Sequence, residues 1–201
     1  MSRHPACCAH AGGRSSTGKR RHGVPLSGRT SRFSPLEFIT CRFGVGTLNA
    51  IQKVFHHGLI VPDVRAAMDG LSRDLGLDWA DLRPFDPLRV WLPGEGWAEA
   101  QLTVTYSRQG PVHFELIEMV PGCAYEPLLA VSRAHLGVWV DDVGAEVEAL
   151  LAQGWRLILA GASPEHRYGQ MAYLVRDNGP VVELVGEPLR PMIESWIGGA
   201  A

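Results

Sequence analysis

The chain has 201 residues, 46% of them hydrophobic and 20% charged, with a formal net charge of −2. That length supports one buried core with a tail, and no window approaches the roughly 18–20 apolar residues of a membrane span, so a soluble protein is expected. The near-neutral total hides two unlike parts, and the acidic one makes nucleic acid an unexpected partner.

Residues 1–50 carry Arg3, Arg14, Lys19, Arg20, Arg21, Arg29, Arg32 and Arg42 against a single acid, Glu37; eleven basic and twenty acidic residues then leave 51–201 at −9 with His neutral. The first stretch is rich in Gly, Ser and Arg and has no sustained apolar period. It is expected either to be disordered or, with a true start near Val45, not to belong to the native chain. Its Arg- and Ser-rich, acid-poor composition also fits a mitochondrial transit peptide, the alternative to a cytoplasmic location. Arg20 and Arg21 lack the apolar run that a twin-arginine signal requires. His4, Cys7, Cys8 and His10 match no zinc-site spacing. Of the four cysteines only Cys123 lies in the expected domain, which excludes a disulfide framework there and suits a reducing compartment.

From residue 51 onward the chain repeats itself. "HHGLIVPDVRAAMDGLSRDLGL" from His56 aligns with "HLGVWVDDVGAEVEALLAQGW" from His135, which sets His on His, Gly58 on Gly137, Asp63 on Asp142 and Leu71 on Leu150. Downstream, "HFELIE" aligns with "VVELVG" and sets Glu115 on Glu183. Each unit opens with a short apolar run, read as a strand, and Asp63 or Asp142 is placed to cap the helix that follows. Val64, Ala67, Met68, Leu71 and Leu75 form one apolar face of the first helix; Val143, Val147, Leu150 and Leu151 form that of the second. Gly76 and Gly154 stand where helix ends favour a left-handed residue. Strand-like segments follow: "RVWLP", "AQLTVTYS" and "VHFELIE", then "RLILA", "MAYLVR" and "VVELV". The order is βαβββ, twice. Such units are too small to stand alone, so an α+β domain is expected in which both combine into one curved mixed sheet around a shared cavity.

Strand alternation places His56 and His57 on opposite faces, and it is His56 that aligns with His135. Glu115 and Glu183 each lie between apolar neighbours, a costly place for a carboxylate without a compensating cation. A His and a Glu in equivalent positions, twice, point to one shared cation. His56, Glu115, His135 and Glu183 form a mixed nitrogen and oxygen set suited to a divalent first-row metal. Trp91, Trp97, Tyr106, Trp139, Tyr168 and Tyr173 are available to line an apolar pocket or the ordinary core.

These motifs resemble the vicinal oxygen chelate superfamily, which includes glyoxalase I, methylmalonyl-CoA epimerase, extradiol dioxygenases and bleomycin-resistance proteins. The resemblance covers about residues 52–190, with 51–190 as the domain and 191–201 as a C-terminal tail. It implies metal ligands at His56, Glu115, His135 and Glu183 and a divalent ion such as Zn, Ni, Co, Mn or Fe. It also implies a metal-dependent lyase or isomerase that stabilises an enediolate or enolate of a small carbonyl or thioester substrate. An extradiol-type dioxygenase and a metal-free small-molecule binding or resistance protein are the alternatives. The base is expected to be a ligand carboxylate, Glu115 or Glu183, or else Glu95 or Glu99 in "LPGEGWAEAQ", a stretch that resembles the place where epimerases carry a glutamate. His113 shares strand parity with Glu115 and is expected either in the pocket or at the surface. Homodimers are frequent in the family, so a homodimer is one expected assembly.

Overall fold

The computed structural model describes residues 53–199. The expectations for residues 1–50, including disorder and the transit peptide, lie outside the described residues. Eight strands run in chain order: β1 (Val54–Val61), β2 (Arg83–Leu92), β3 (Gly96–Tyr106), β4 (His113–Met119), β5 (Ala134–Val140), β6 (Arg156–Ala160), β7 (Met171–Val175) and β8 (Val181–Gly186). They close into a barrel in the order β1-β4-β3-β2-β6-β7-β8-β5, with β5 paired back to β1. β1 is parallel to β4 and β5 to β8, and the other pairs are antiparallel, so the sheet is mixed as expected. The two βαβββ units meet at an antiparallel β1–β5 seam and again where β2 pairs with β6 through Trp91 and Ala160.

Helix α1 (Val64–Leu75) follows β1, and α3 (Val143–Ala152) follows β5; α2 (Glu126–Val131) links the units. Asp63 accepts from the Ala66 N–H at 2.9 Å and Asp142 from the Ala145 N–H at 3.0 Å, which satisfies N–H groups the first turn leaves unpaired. Gly76 closes α1 at φ +69°. Glu118 Oε2 accepts from the Val64 N–H at 2.7 Å and ties the start of α1 to β4. The helices differ in burial. Val143, Val147 and Leu150 of α3 are buried with Leu174 and Leu184 on the outer face of the sheet, whereas Val64 alone is buried in α1. Leu75, expected on the apolar face, is 59% exposed because the chain turns away at Gly76 directly after it.

Two segments depart from the sequence reading. β2 begins at Arg83, six residues before "RVWLP", because a register shift between Phe85 and Leu88 lets Asp86 and Pro87 share the one partner position at Gln101. The stretch 191–201, read as a tail, falls largely within α4 (Arg190–Gly198), which has Pro191 in its first turn and Gly199 in the left-handed conformation after its last. Ile193, Trp196 and Ile197 recur at helical spacing and are buried in the same cluster as Val90, Leu102, Val104, Ile117 and Val185 of the strands. No helix among the described residues is long and apolar enough to cross a membrane.

Candidate metal centre

The strand register converts the repeat into a site. Across the seam His56 stands opposite Gly137 and Gly58 opposite His135; along the parallel pairs, Glu115 lies beside Gly58 and Glu183 beside Gly137. Each glycine is therefore flanked by the histidine of one module and the glutamate of the other strand at its side. A Cβ built on Gly58 would fall within the ring of His135, and one on Gly137 within the ring of His56. The bare backbone is what lets both imidazoles lie across the seam and converge.

They converge closely. His56 Nε2 lies 3.1 Å from His135 Nε2, 3.0 Å from Glu183 Oε2 and 3.5 Å from Glu115 Oε2; His135 Nε2 lies 3.0 Å from Glu115 Oε2 and 3.3 Å from Glu183 Oε2. All four residues are buried, between 0% and 7% exposed. Tyr106 Oη donates to Glu115 Oε1 at 2.5 Å, leaving Oε2 turned to the histidines. Phe55 sets its ring on His56 at 4.4 Å between centroids, and Tyr173 packs on His135 at 5.1 Å, both near-perpendicular.

The electrostatics follow from this crowding. Burial disfavours a charged ring at His135, but hydrogen bonds to Glu115 and Glu183 outweigh it and push its pKa up to about 9. Burial would raise Glu183, yet His135 and His56 hold its pKa down to about 2. Burial, then the nearby Glu115 and Glu183, keeps the Tyr106 phenol well above its ordinary range; Tyr125 and Tyr173 are raised in the same way. The three phenols are thus neutral donors at physiological pH.

The donor set fits a metal ion. Four ligands bonded at about 2.0–2.2 Å stand roughly 3.0–3.5 Å apart along the edges of a coordination polyhedron, and the five separations above span 3.0–3.5 Å. Among the described residues this is the group of His, Cys, Asp and Glu side chains that could hold an ion. Two buried carboxylates call for positive charge, which a divalent cation supplies without further side chains. Nδ1 of His56 and Nδ1 of His135 are buried with no hydrogen-bond partner among the described residues. Phe55 and Tyr173, packed edge-on against these rings, restrain their orientation.

Glu95 and Glu99 are not brought to this group. Glu95 sits exposed in the turn between β2 and β3, and Glu99 is exposed on β3 with the opposite strand parity to Tyr106. His113 is half-buried, its Nδ1 donates to the Ser107 carbonyl at 2.7 Å, and it borders a cavity of about 220 Å³ with Phe55, Trp139 and Arg190. His57 lies on the other face against Phe114, as parity required, and burial lowers its pKa. Of the aromatic residues singled out, Tyr106 and Tyr173 touch the group, Trp139 stacks on Phe55, Trp91 pairs with Trp97, and Tyr168 belongs to the outer cluster. Tyr125, Trp196 and the spacing role of the two glycines escaped the sequence reading, although the shared His-x-Gly of both repeats was a usable signal for the glycines.

A family model described as Glyoxalase/Bleomycin resistance protein/Dioxygenase superfamily matches residues 55–173. The chain belongs to that superfamily. The matched stretch includes His56, Glu115 and His135 and ends before Glu183. Among solved structures, this superfamily member is similar to a hypothetical protein from Bacillus halodurans C-125, at 17% identity and a TM-score of 0.47 over 67% of this chain and 94% of that one. It is also similar to methylmalonyl-CoA epimerase from Mycobacterium tuberculosis, at 16% identity and a TM-score of 0.44 over 67% and 87% of the two chains. A 4-hydroxymandelate synthase mutant from Streptomyces coelicolor follows at 14% identity and a TM-score of 0.40, over 65% and 46%. No curated protein matches the chain.

Proposed function

We propose that the protein is a metal-dependent lyase or isomerase acting on a small carbonyl or thioester substrate, with His56, Glu115, His135 and Glu183 holding one divalent ion. The observation that carries this reading is the convergence of two imidazoles and two carboxylates, from equivalent places in both modules, with the imidazole nitrogens 3.0–3.5 Å from each other and from both carboxylates, all four donors within 4.8 Å, and every one buried. The second carboxylate favours this chemistry over an extradiol-type oxygenase, whose iron is held by two histidines and one carboxylate. When bound, the ion would lower the energy of negative charge developing on substrate oxygen as a neighbouring carbon loses its proton.

The chain's own residues supply the rest. Burial excludes bulk water and strengthens each electrostatic contact with the reacting carbon acid. Glu183 is the better placed base, because the bond from Tyr106 to Oε1 restrains Glu115, whereas no phenol bond to Glu183 is found among the described residues. An ionised Glu183 would take the proton on its carboxylate and return it to the same or the adjoining carbon. Tyr125, whose ring meets that of Tyr173 at 5.8 Å, is kept neutral because burial, then Glu183 and Glu115, raise its pKa.

Exchange of the carbon-bound proton with deuterated solvent, followed by NMR over 2-oxo aldehyde thiol adducts and branched acyl thioesters, tests the reading. Metal-loaded protein is expected to catalyse exchange in at least one class, with Glu183→Gln reducing it by roughly 100-fold or more. Loaded protein that exchanges none of them, or oxygen uptake with catechols, would contradict it.

A further inference from the structure

We propose that Tyr106 is a positioning residue for the metal ligand Glu115, and that helix α4 acts on the metal centre through it. This rests on the metal reading above. Tyr106 is the last residue of β3 and stands in register with Glu115 on β4, so both side chains enter the barrel from adjacent strands on the same face. Its hydroxyl proton goes to Oε1 of Glu115, and both residues are 5% exposed, so no water competes for that oxygen. A carboxylate with one oxygen engaged by a phenol is restrained in its last torsion and offers the other oxygen in a fixed direction. Among the described residues, no such phenol bond to Glu183 is found. The two carboxylates, equivalent in the sequence repeat, are made unequal by what their facing tyrosines do: Tyr173 stands across from Glu183 on β7 as Tyr106 stands across from Glu115 on β3, but its ring packs on His135.

The ring of Tyr106 is itself held from behind. Trp196 of α4 packs edge-on against it at 5.0 Å, and the Trp196 indole N–H donates to the Asp81 carbonyl at 2.7 Å while the Arg83 guanidinium covers its face at 4.4 Å. Arg108 Nη1 donates to the Ile197 carbonyl at 2.6 Å and fixes the end of the helix. The chain of contact therefore runs from α4 through Trp196 and Tyr106 to Glu115 and His135.

Full-length protein loaded with Co²⁺ tests this, because the visible absorption of the ion reports its ligand field without reference to turnover. Tyr106→Phe keeps the ring and is expected to bind Co²⁺ about 10–100-fold more weakly in chelator competition, with altered absorption bands, the range typical of an outer partner of a ligand. Trp196→Phe should move both readouts in the same direction by less. Wild-type affinity and bands in Tyr106→Phe would overturn the proposal. So would the wild-type protein's Tyr106 hydroxyl proton, observed by NMR without any variant, exchanging at solvent rates or keeping its chemical shift when Zn²⁺ is added. Wild-type protein that takes up no Co²⁺ would remove the metal reading and this role together, whereas a normal wild type beside an unaffected Tyr106→Phe would remove only the role.

Discussion

Gly58 stands opposite His135 across the β1–β5 seam, and the missing side chain of the one is the space occupied by the ring of the other. Gly137 and His56 repeat the relationship with the modules exchanged. Gly58→Ala and Gly137→Ala should each expel the facing imidazole, costing about 1–3 kcal/mol by overpacking and abolishing metal uptake. Gly70→Ala is the contrast, since its added Cβ meets only the end of the Arg73 side chain at 3.8 Å at a half-buried position of α1. It should stabilise by roughly 0.5–1 kcal/mol. Urea unfolding of the three variants checks this, and a tolerated Gly58→Ala would break the geometric argument.

The pH dependence has a definite sign. In chelator-treated protein His135, raised to about 9, contributes stability that is full below its unfolded value near 6.5 and is lost as pH rises through 9. Glu183, lowered to about 2, contributes stability present above its unfolded value near 4.5 and lost as pH falls through 2. The paired contribution is therefore greatest between these unfolded values. Because a ligating histidine must be neutral, metal uptake at pH 7 should release about one proton per ion. Titration with metal in weakly buffered solution containing a pH indicator measures it, and uptake without acidification would show that His135 does not carry that proton.

Glu95 and Glu99 are expected to be dispensable. The double variant Glu95→Gln, Glu99→Gln should keep metal content and should change catalysed proton exchange by no more than about twofold, since exposed carboxylates away from the site contribute little. A tenfold loss in kcat/KM would restore one of them as the base and remove Glu183 from that role.

Trp196→Ala should cost about 3–5 kcal/mol, because it empties a buried indole from the shared core and leaves the Asp81 carbonyl without its donor. Thermal unfolding of full-length protein gives the value. A change near zero would mean that α4 is not seated on the barrel as described.

Much of the fold was legible because two local rules were obeyed twice. Alternation in "FHHGLIV" and "AHLGVWV", together with the repeat, separated His56 from His57, and Asp63 and Asp142 marked the helix starts through the short side-chain bond each makes. The carboxylates were legible because Glu115 and Glu183 violated the apolar run around them. What could not be read depended on register between strands far apart in sequence. That Tyr106 meets Glu115 rather than Glu183 follows from the β3–β4 pairing, and that Gly58 faces His135 follows from which edges of the two modules join. The start of β2 was hidden by Pro84 and Pro87, whose disruption a register shift absorbs. Helix α4 falls in the stretch expected to be a tail, and Pro191 in its first turn and Gly199 after its last stand where such residues belong at helix ends.

The central claim is that four side chains from two modules share one ion. Metal content of protein purified without chelators, measured by plasma mass spectrometry beside His56→Ala and Glu183→Ala, tests it most directly. About one divalent ion per wild-type chain is expected, with a loss of at least tenfold in occupancy in both variants while their folds persist. A wild type free of stoichiometric metal, or variants that retain it, would contradict the account.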